Sequence, residues 1–412
     1  MMRILLVSQW FTPEPIFKGL PFAKALKGRG HEVEVLTGFP NYPEGKLYPG
    51  YRQRILQREM MEGIPVLRVP LYPSHDTSVV RRVANYASFA ATASSVGLIA
   101  VKPADVMYVY HPPPTVALPA MVISRMRRVP FIYDIQDLWP DALDATGMMH
   151  NGSIRKIVER WCRWTYRAAS RIVVLSPGFK VKLVERGVPA EKIEVIYNWC
   201  DEGQIGRAPR NEVLNRELGL EGRFNVLFAG TMGKAQGLEA ILDAARLVAG
   251  RIPDVQFVFI GGGIESDRLR RTARENGLPN VLFLPRRPFS EIGAILNLAD
   301  VLLVHLKDDP LFGVTIPSKI QAYLAMGRPI LAGVRGDAAD LVRRAGAGIT
   351  CTPEDAKSIA DAVVTLSRMP KERLEEMGER GHAFYWREMA METGVARFEE
   401  VFRSAVAGVE SV

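Results

Sequence analysis

Short apolar and β-branched runs recur along the chain, each closed by turn residues: RILLVS (3–8), HEVEVLTG (31–38), IPVLRVP (64–70), ADVMYVY (104–110), PFIYDI (130–135), RIVVLS (171–176) and KIEVIYN (192–198). They lack strict apolar–polar alternation, the pattern of strands buried on both faces. Amphipathic stretches such as LPFAKALKGRG separate most of them. Strand alternating with helix predicts a parallel sheet with crossover helices. The pattern pauses over a polar stretch at 201–222 and restarts with FNVLFAG (224–230), VQFVFIGGG (255–263), VLFLPR (281–286), VLLVHL (301–306), PILAG (329–333) and GITC (348–351). A second doubly wound sheet follows from it. We therefore expect an α/β chain of two domains, 1–200 and 201–383. The amphipathic segment 384–406 reads as one helix, and the stretch 384–412 can pack back on either domain; we place it with the first.

A length of 412 residues agrees with two domains of ordinary size. With 48% hydrophobic and 24% charged residues, the composition is that of a globular protein. No run of about 18 apolar residues stands out, so no spanning helix is expected. The N-terminal MMRILLVSQWFTPEP reads as a strand followed by a proline-rich loop, not a signal peptide. Cys162, Cys200 and Cys351 are far apart, with no CxxC and no Cys/His cluster. That pattern predicts neither a disulfide framework nor a zinc site and suits a reducing cytoplasm.

The net charge of +8 is uneven: residues 1–200 carry about +10 and the rest about −2. A basic half can face nucleic acid, an anionic membrane or a phosphorylated substrate. In SIRKIVERWCRWTYRAASR (153–171), Arg155, Lys156, Arg160, Arg163 and Arg167 interleave with Trp161, Trp164 and Tyr166. Cations beside interfacial aromatics suit an anionic membrane surface, and an ordinary packed helix with a solvated basic face fits as well. The apolar stretch 78–102 carries Arg81 and Arg82 at one end.

In open α/β sheets ligands bind beyond the carboxyl ends of the strands, so the chemistry is sought in those loops, lining a cleft if the two sheets face one another. In TIPSKIQAYLAMGRPILAG (315–333), Ser318 behind Pro317 reads as the N-cap of an apolar helix. The free N–H groups of a helix start attract an anion, and Lys319 adds a full charge. A capped helix with a solvated lysine is the plainer alternative. AGTMGKAQGLEAI (229–241) offers Gly230, Gly233 and Gly237 for close backbone approach, with Thr231 among them and Lys234 and Gln236 as donors. Without GK[ST] it is not a Walker loop. Gly261 and Gly262 follow a strand directly, and Arg286 and Arg287 end another. In YDIQDLWPDAL (133–143), Asp137 can accept a proton from a hydroxyl or cap a turn, and Trp139 can stack on a sugar or join the core. His111 ends a strand at the same edge and reads as structural. The adjacent carboxylates of KDDP (307–310) lack a third ligand, so no metal site is expected. NYPEGKLYPGY (41–51) is too long for a tight turn and reads as a loop beside the cleft.

Taken together, RILLVSQWFTPE, RGHEVEVLTGFPNYPEGKLYPGY, DLWPDAL, VIYNWCD, FAGTMGKAQGLEAIL and IPSKIQAYLAMGRPILAG make the chain similar to the family 4 retaining glycosyltransferases. It most resembles the bacterial branch with N-acetyl-L-fucosamine transferases of O-antigen and capsule synthesis. The resemblance implies the GT-B fold, two facing Rossmann-like domains with parallel sheets. It implies transfer from a nucleotide-sugar donor, a UDP-sugar above all, to a saccharide or polyprenyl-diphosphate-linked acceptor. Neither cofactor nor metal nor nucleic acid is implied. The donor diphosphate would meet Pro317, Ser318, Lys319 and the loop of Gly230, Thr231, Lys234 and Gln236. The base would lie near Arg286, Gly261 and Gly262. The acceptor would meet Glu14, Gly19 and Trp139, with Asp137 acting on its hydroxyl and Lys319 on the leaving group. Family members usually carry two glutamates eight residues apart around this helix. The second falls here on Ala322 and the first has no counterpart in LFGVTI, so Gln321 or Tyr323 is expected to substitute; Gln136 stands where a histidine is usual. A non-hydrolysing nucleotide-sugar epimerase and a non-catalytic subunit binding nucleotide or lipid-linked sugar remain the rival readings. A dinucleotide oxidoreductase is disfavoured, since no GxGxxG follows the first strand.

Overall fold

In the computed structural model, which describes residues 1–75, 78–142 and 152–410, the first half builds an eight-stranded sheet in the order β3-β4-β2-β1-β5-β6-β7-β8. Its strands are β1 (Arg3–Val7), β2 (Glu32–Gly38), β3 (Gln57–Met61), β4 (Ile64–Val69), β5 (Val106–His111), β6 (Phe131–Ile135), β7 (Arg171–Val174) and β8 (Ile193–Val195). Seven of these were legible in the sequence. The eighth, β3, was not, and it makes the sheet mixed rather than wholly parallel, because it runs antiparallel to β4. Its residues, QREMM, are half exposed at the sheet edge and carry little apolar signal. Glu62 and Gly63, with φ of 47° and 82°, form the two-residue turn that closes this hairpin. Arg68 of β4 is fully buried; its guanidinium donates to Glu59 of β3 at 2.6 Å and to the carbonyls of Gly38 and Thr12.

The second half builds a parallel six-stranded sheet, β11-β10-β9-β12-β13-β14. Its strands are β9 (Phe224–Thr231), β10 (Val255–Gly262), β11 (Val281–Leu284), β12 (Val301–His305), β13 (Ile330–Gly333) and β14 (Gly348–Thr350). Phe228, Phe257 and Phe259 anchor its core and are fully buried. Each such side chain contributes about 1.5–3 kcal/mol by leaving water.

The chain forms two compact units, Met1–Ile196 with Gly394–Val412, and Tyr197–Thr393. The single helix expected over 384–406 is two helices, Lys371–Glu388 and Met391–Glu410. The N–H groups of Met389 and Ala390 both donate to the Tyr385 carbonyl and close the first of them. The Glu202 carboxylate then accepts from Met391 N at 2.7 Å at the start of the second. From Gly394 onward the second helix belongs to the first unit. There Phe398 and Phe402 meet Phe22 and Tyr108 edge to face or tilted.

One helix bears on the expectation that no segment spans a membrane. Residues Val79–Ala100 are helical throughout, 22 residues long and apolar enough by length and composition to cross a membrane. Alanine, serine and threonine dilute the pattern, so it does not stand out as a run of bulky apolar residues.

Candidate functional site

In each sheet the strand order reverses once, between β1 and β5 and between β9 and β12. Such a reversal opens a crevice beyond the strand ends. In the second unit β9 and β12 pair only at Val226–Val301 and Leu227–Leu302. Beyond that point the Ala229 N–H donates to the Tyr323 hydroxyl at 3.2 Å instead of to β12. Tyr323 lies on the helix Ser318–Met326 and is buried. One turn earlier, on the same helix face, Lys319 reaches Gly230.

Gly230 has φ of 130°, and a Cβ there would stand 2.8 Å from Lys319 Cε and 3.1 Å from Nζ. A side chain at 230 would push the end of this lysine aside. Lys319 is half-buried, with Nζ 4.5 Å from the Phe228 ring centroid. Its ammonium has no carboxylate partner among the described residues, and burial alone pushes its pKa down to about 8. The helix start adds open donors. Ser318 is not the N-cap: Pro317 occupies that position, and no side chain caps the helix. Proline has no side-chain acceptor, so the N–H groups of Ser318 and Lys319 lack partners among the described residues.

The other expected donor residues fall on the same carboxyl edge. Gly230 and Thr231 end β9, Gly261 and Gly262 lie at the end of β10, and Arg286 follows β11, exposed. Gly261, with φ of 132°, lies so near β9 that a Cβ would meet the Gly230 carbonyl oxygen at 2.0 Å. Lys234 is exposed at the start of a short turn. Gln236 holds that turn together: its Oε1 accepts from Gly233 N at 2.9 Å, leaving Nε2 for a ligand.

Gln321 and Tyr323 do not stand in for the absent glutamate. Gln321 is buried, and its amide, in the orientation that satisfies its neighbours, donates to the carbonyls of Pro317 at 2.8 Å and Ser318 at 3.0 Å. The Tyr323 hydroxyl is taken by Ala229. The KDDP carboxylates are engaged too: Asp308 pairs with Arg335 at 2.8 Å, and Asp309 accepts from Leu311 N.

In the first unit the loop after β1 carries Glu14, Lys18 and Gly19. Glu14 is buried. Its carboxylate accepts from the N–H groups of Phe11 at 2.9 Å and of Asn41 and Tyr42 at 2.8 Å each. Desolvation outweighs these bonds and pushes its pKa up to about 7. Glu14 thus joins the loops after β1 and β2 and belongs to the frame of the edge. Gly19 precedes the helix Leu20–Gly28 and is buried; a Cβ there would press on Thr12 Oγ1 at 3.1 Å. Asp137, after β6, is exposed, and its carboxylate has no hydrogen-bond donor among the described residues. Nearby protein desolvates it and raises its pKa. Trp139 is half-buried, edge-on to His111 with ring centroids 6.2 Å apart. His111 is buried and held neutral, its pKa pushed down to about 3. Residue 143, which ends the DLWPDAL motif, lies outside the described residues.

Two arrangements escaped the sequence reading. Lys18 donates to Asp134 Oδ2 at 2.7 Å, with both side chains 1% exposed. Tyr108 Oη donates to the same oxygen at 2.5 Å, and Gln136 Nε2 to Oδ1 at 2.7 Å. A carboxylate within the apolar strand FIYDI was the available signal, since a buried charge demands a partner. The second is His305 at the end of β12. Its Nε2 accepts from Glu354 N at 3.0 Å, so its Nδ1 carries the proton and donates to the Gln236 carbonyl at 2.6 Å. Sequence offered only a lone histidine ending a strand.

Residues 20–199 match the family described as a glycosyl transferase 4-like domain, and residues 223–369 match the one described as glycosyl transferases group 1. The chain belongs to the family 4 glycosyltransferases. This glycosyltransferase is 28% identical over 340 residues to the putative colanic acid biosynthesis glycosyl transferase WcaI of Escherichia coli K12, covering 79% of this chain and 82% of WcaI. It is 28% identical over 230 residues to the probable glycosyltransferase WbjE of Pseudomonas aeruginosa, covering 55% and 57% of the two chains. The solved structure of Anabaena HepE in complex with UDP and glucose matches 98% of this chain and 100% of its own, with a TM-score of 0.68 at 18% identity. The glycosyltransferase therefore has the GT-B fold of two Rossmann-like domains.

Proposed function

We propose that this glycosyltransferase moves a hexosyl or N-acetylhexosaminyl group from a UDP-sugar to a saccharide or polyprenyl-diphosphate-linked acceptor, with retention at the anomeric carbon, in cell-surface polysaccharide synthesis. The observation that carries the donor half is Lys319: a half-buried cation without a counterion among the described residues, beside an uncapped helix start and a glycine that makes room for it. A diphosphate supplies the missing negative charge. As the bond between the anomeric carbon and the diphosphate oxygen breaks, charge grows on that oxygen, and Lys319, the Ser318 and Lys319 N–H groups and Lys234 stabilise it. Asp137 orients or deprotonates the acceptor hydroxyl; its raised pKa favours accepting the proton. Thr231, Gln236, Gly261, Gly262 and Arg286 contact the donor, and Glu14, Gly19 and Trp139 shape the acceptor side. The step as written uses no cofactor. HepE was crystallised with UDP and glucose, which supports a uridine donor.

Leu311 and Phe312, on the short helix Pro310–Gly313, replace the polar residues that a fully hydroxylated sugar would engage. The donor sugar in this reading is deoxygenated, such as a 6-deoxy or N-acetylated deoxy sugar of the L-fucosamine kind. The enzyme works in the cytoplasm, peripheral to the membrane that holds its acceptor.

The test is thermal shift with a panel of nucleoside diphosphates and nucleotide sugars, followed by turnover. UDP and one UDP-deoxysugar should raise the melting temperature. Lys319→Ala should abolish that shift and lower turnover about tenfold or more. Turnover with UDP-glucose alone would sink the deoxysugar assignment. Binding without any transfer would favour a non-catalytic subunit, which Ala322 makes the second reading.

A further inference from the structure

The helix Gly152–Ala168 turns its apolar and its cationic residues to solvent together. Cys162, Thr165 and Tyr166 are its buried side. Ile154, Ile157, Trp161 and Trp164 follow at spacings of three and four and form one stripe. Along that stripe Ile157 is 68% and Trp164 53% exposed. The Trp161 and Trp164 rings meet edge to face at 5.5 Å. Lys156, Arg160, Arg163 and Arg167 are exposed beside them, and their side chains have no carboxylate partner among the described residues.

A second element of the same unit is also apolar and exposed. At the start of the helix Val79–Thr92, Val79, Val80 and Val83 face solvent, Val80 at 77%. Both elements adjoin the carboxyl edge of the first sheet. Asn85 bonds to Gln9 at 2.6 Å and to Asn41 at 3.1 Å, in the loops after β1 and β2. Trp161 Nε1 donates at 3.1 Å to the carbonyl of Pro114, in the loop after β5. Soluble surfaces do not usually gather bulky apolar residues this way.

We infer that the start of the Val79 helix and the stripe of the Gly152–Ala168 helix form one platform that rests on an anionic lipid bilayer. Isoleucine, valine and tryptophan would enter the headgroup boundary, while the arginines and lysine meet lipid phosphates. The platform lies in the bilayer plane: the buried bonds of Asn85 hold the Val79–Ala100 run to the sheet, so it is not available to span. The edge it presents is the one with Asp137, where a polyprenyl-diphosphate-linked acceptor would arrive. This last step rests on the acceptor proposed above; bilayer binding itself does not.

The test uses the full chain and vesicles of phosphatidylcholine with or without about a third phosphatidylglycerol. Co-sedimentation should require the anionic lipid and fall as salt rises. Ile157→Glu with Trp164→Glu should reduce binding about tenfold or more, and Arg160→Gln and Arg163→Gln about fivefold each. Val80→Glu should weaken it independently. The circular dichroism spectrum and the UDP thermal shift should be unchanged in every variant, which separates lost docking from lost fold. Equal binding to neutral vesicles, undiminished binding by the variants, or protein that resists alkaline extraction would overturn the platform. So would light scattering showing a dimer that Ile157→Glu splits. Normal vesicle binding with no UDP shift would refute the donor reading and leave the platform standing.

Discussion

Two lysines, one in each unit, stand near strand ends and have opposite surroundings. Lys18 finds its counterion inside the fold: Asp134, itself held by Tyr108 and Gln136. Lys319 finds none among the described residues; its ammonium lies over the Phe228 ring and its side-chain end beside Gly230. The first arrangement is closed and joins the loop after β1 to the loop that bears Asp137. The second has no counterion among the described residues, and the donor diphosphate proposed above would supply one. A buried cation identifies a binding site when its counterion is missing, not when it is merely buried.

The largest expected difference is in stability. Lys18→Met or Asp134→Asn leaves one buried charge without its partner and should destabilise the first unit by about 3–5 kcal/mol. Lys319→Met removes a desolvated charge that the fold never neutralised, so stability without ligand should hold or rise. Urea denaturation of the three variants checks both. An undiminished midpoint for Lys18→Met would erase the contrast.

Next in size is a pH effect. Burial holds the Lys319 pKa at about 8. A depressed lysine pKa means that the cation, the form an anion needs, is lost as pH rises through that value. Affinity for UDP should therefore fall between pH 7 and 9, approaching a tenfold loss per unit on the alkaline side. Calorimetric titration at several pH values, with Lys319→Ala as the flat reference, sharpens the comparison. A wild-type profile as flat as the variant's would remove Lys319 from the site.

The smallest effect belongs to Gln321. Its amide bonds serve its own helix, so Gln321→Ala should cost about 0.5–1.5 kcal/mol of stability and leave the Michaelis constant for the donor unchanged. A raised constant would restore Gln321 to the donor site.

Much of this was legible in the chain. Buried parallel strands announce themselves as apolar runs, and all but β3 were read from them. β3 escaped because an edge strand with charged, half-exposed positions has no such run, and its Glu62–Gly63 turn is not a favoured hairpin pair. The helix at Ser318, the glycine loops and Arg286 were readable as residue types at strand ends. Their convergence on one edge follows from the parallel topology. Ser318 was misread as a cap because Pro317 and Ser318 are adjacent, and helix boundaries are resolved only by backbone geometry.

Sequence by itself therefore determined the two doubly wound sheets, the ends of the strands where ligands belong, and the membership of a glycosyltransferase family, since these rest on local periodicity and short motifs. Only the tertiary structure decided which charges are paired. Asp134 and Lys18 lie 116 residues apart in sequence and share a hydrogen bond, whereas Lys319 has no such distant partner among the described residues. Periodicity shows that a side chain is buried. Whether it is also neutralised depends on contacts between segments remote along the chain, and that is set by packing.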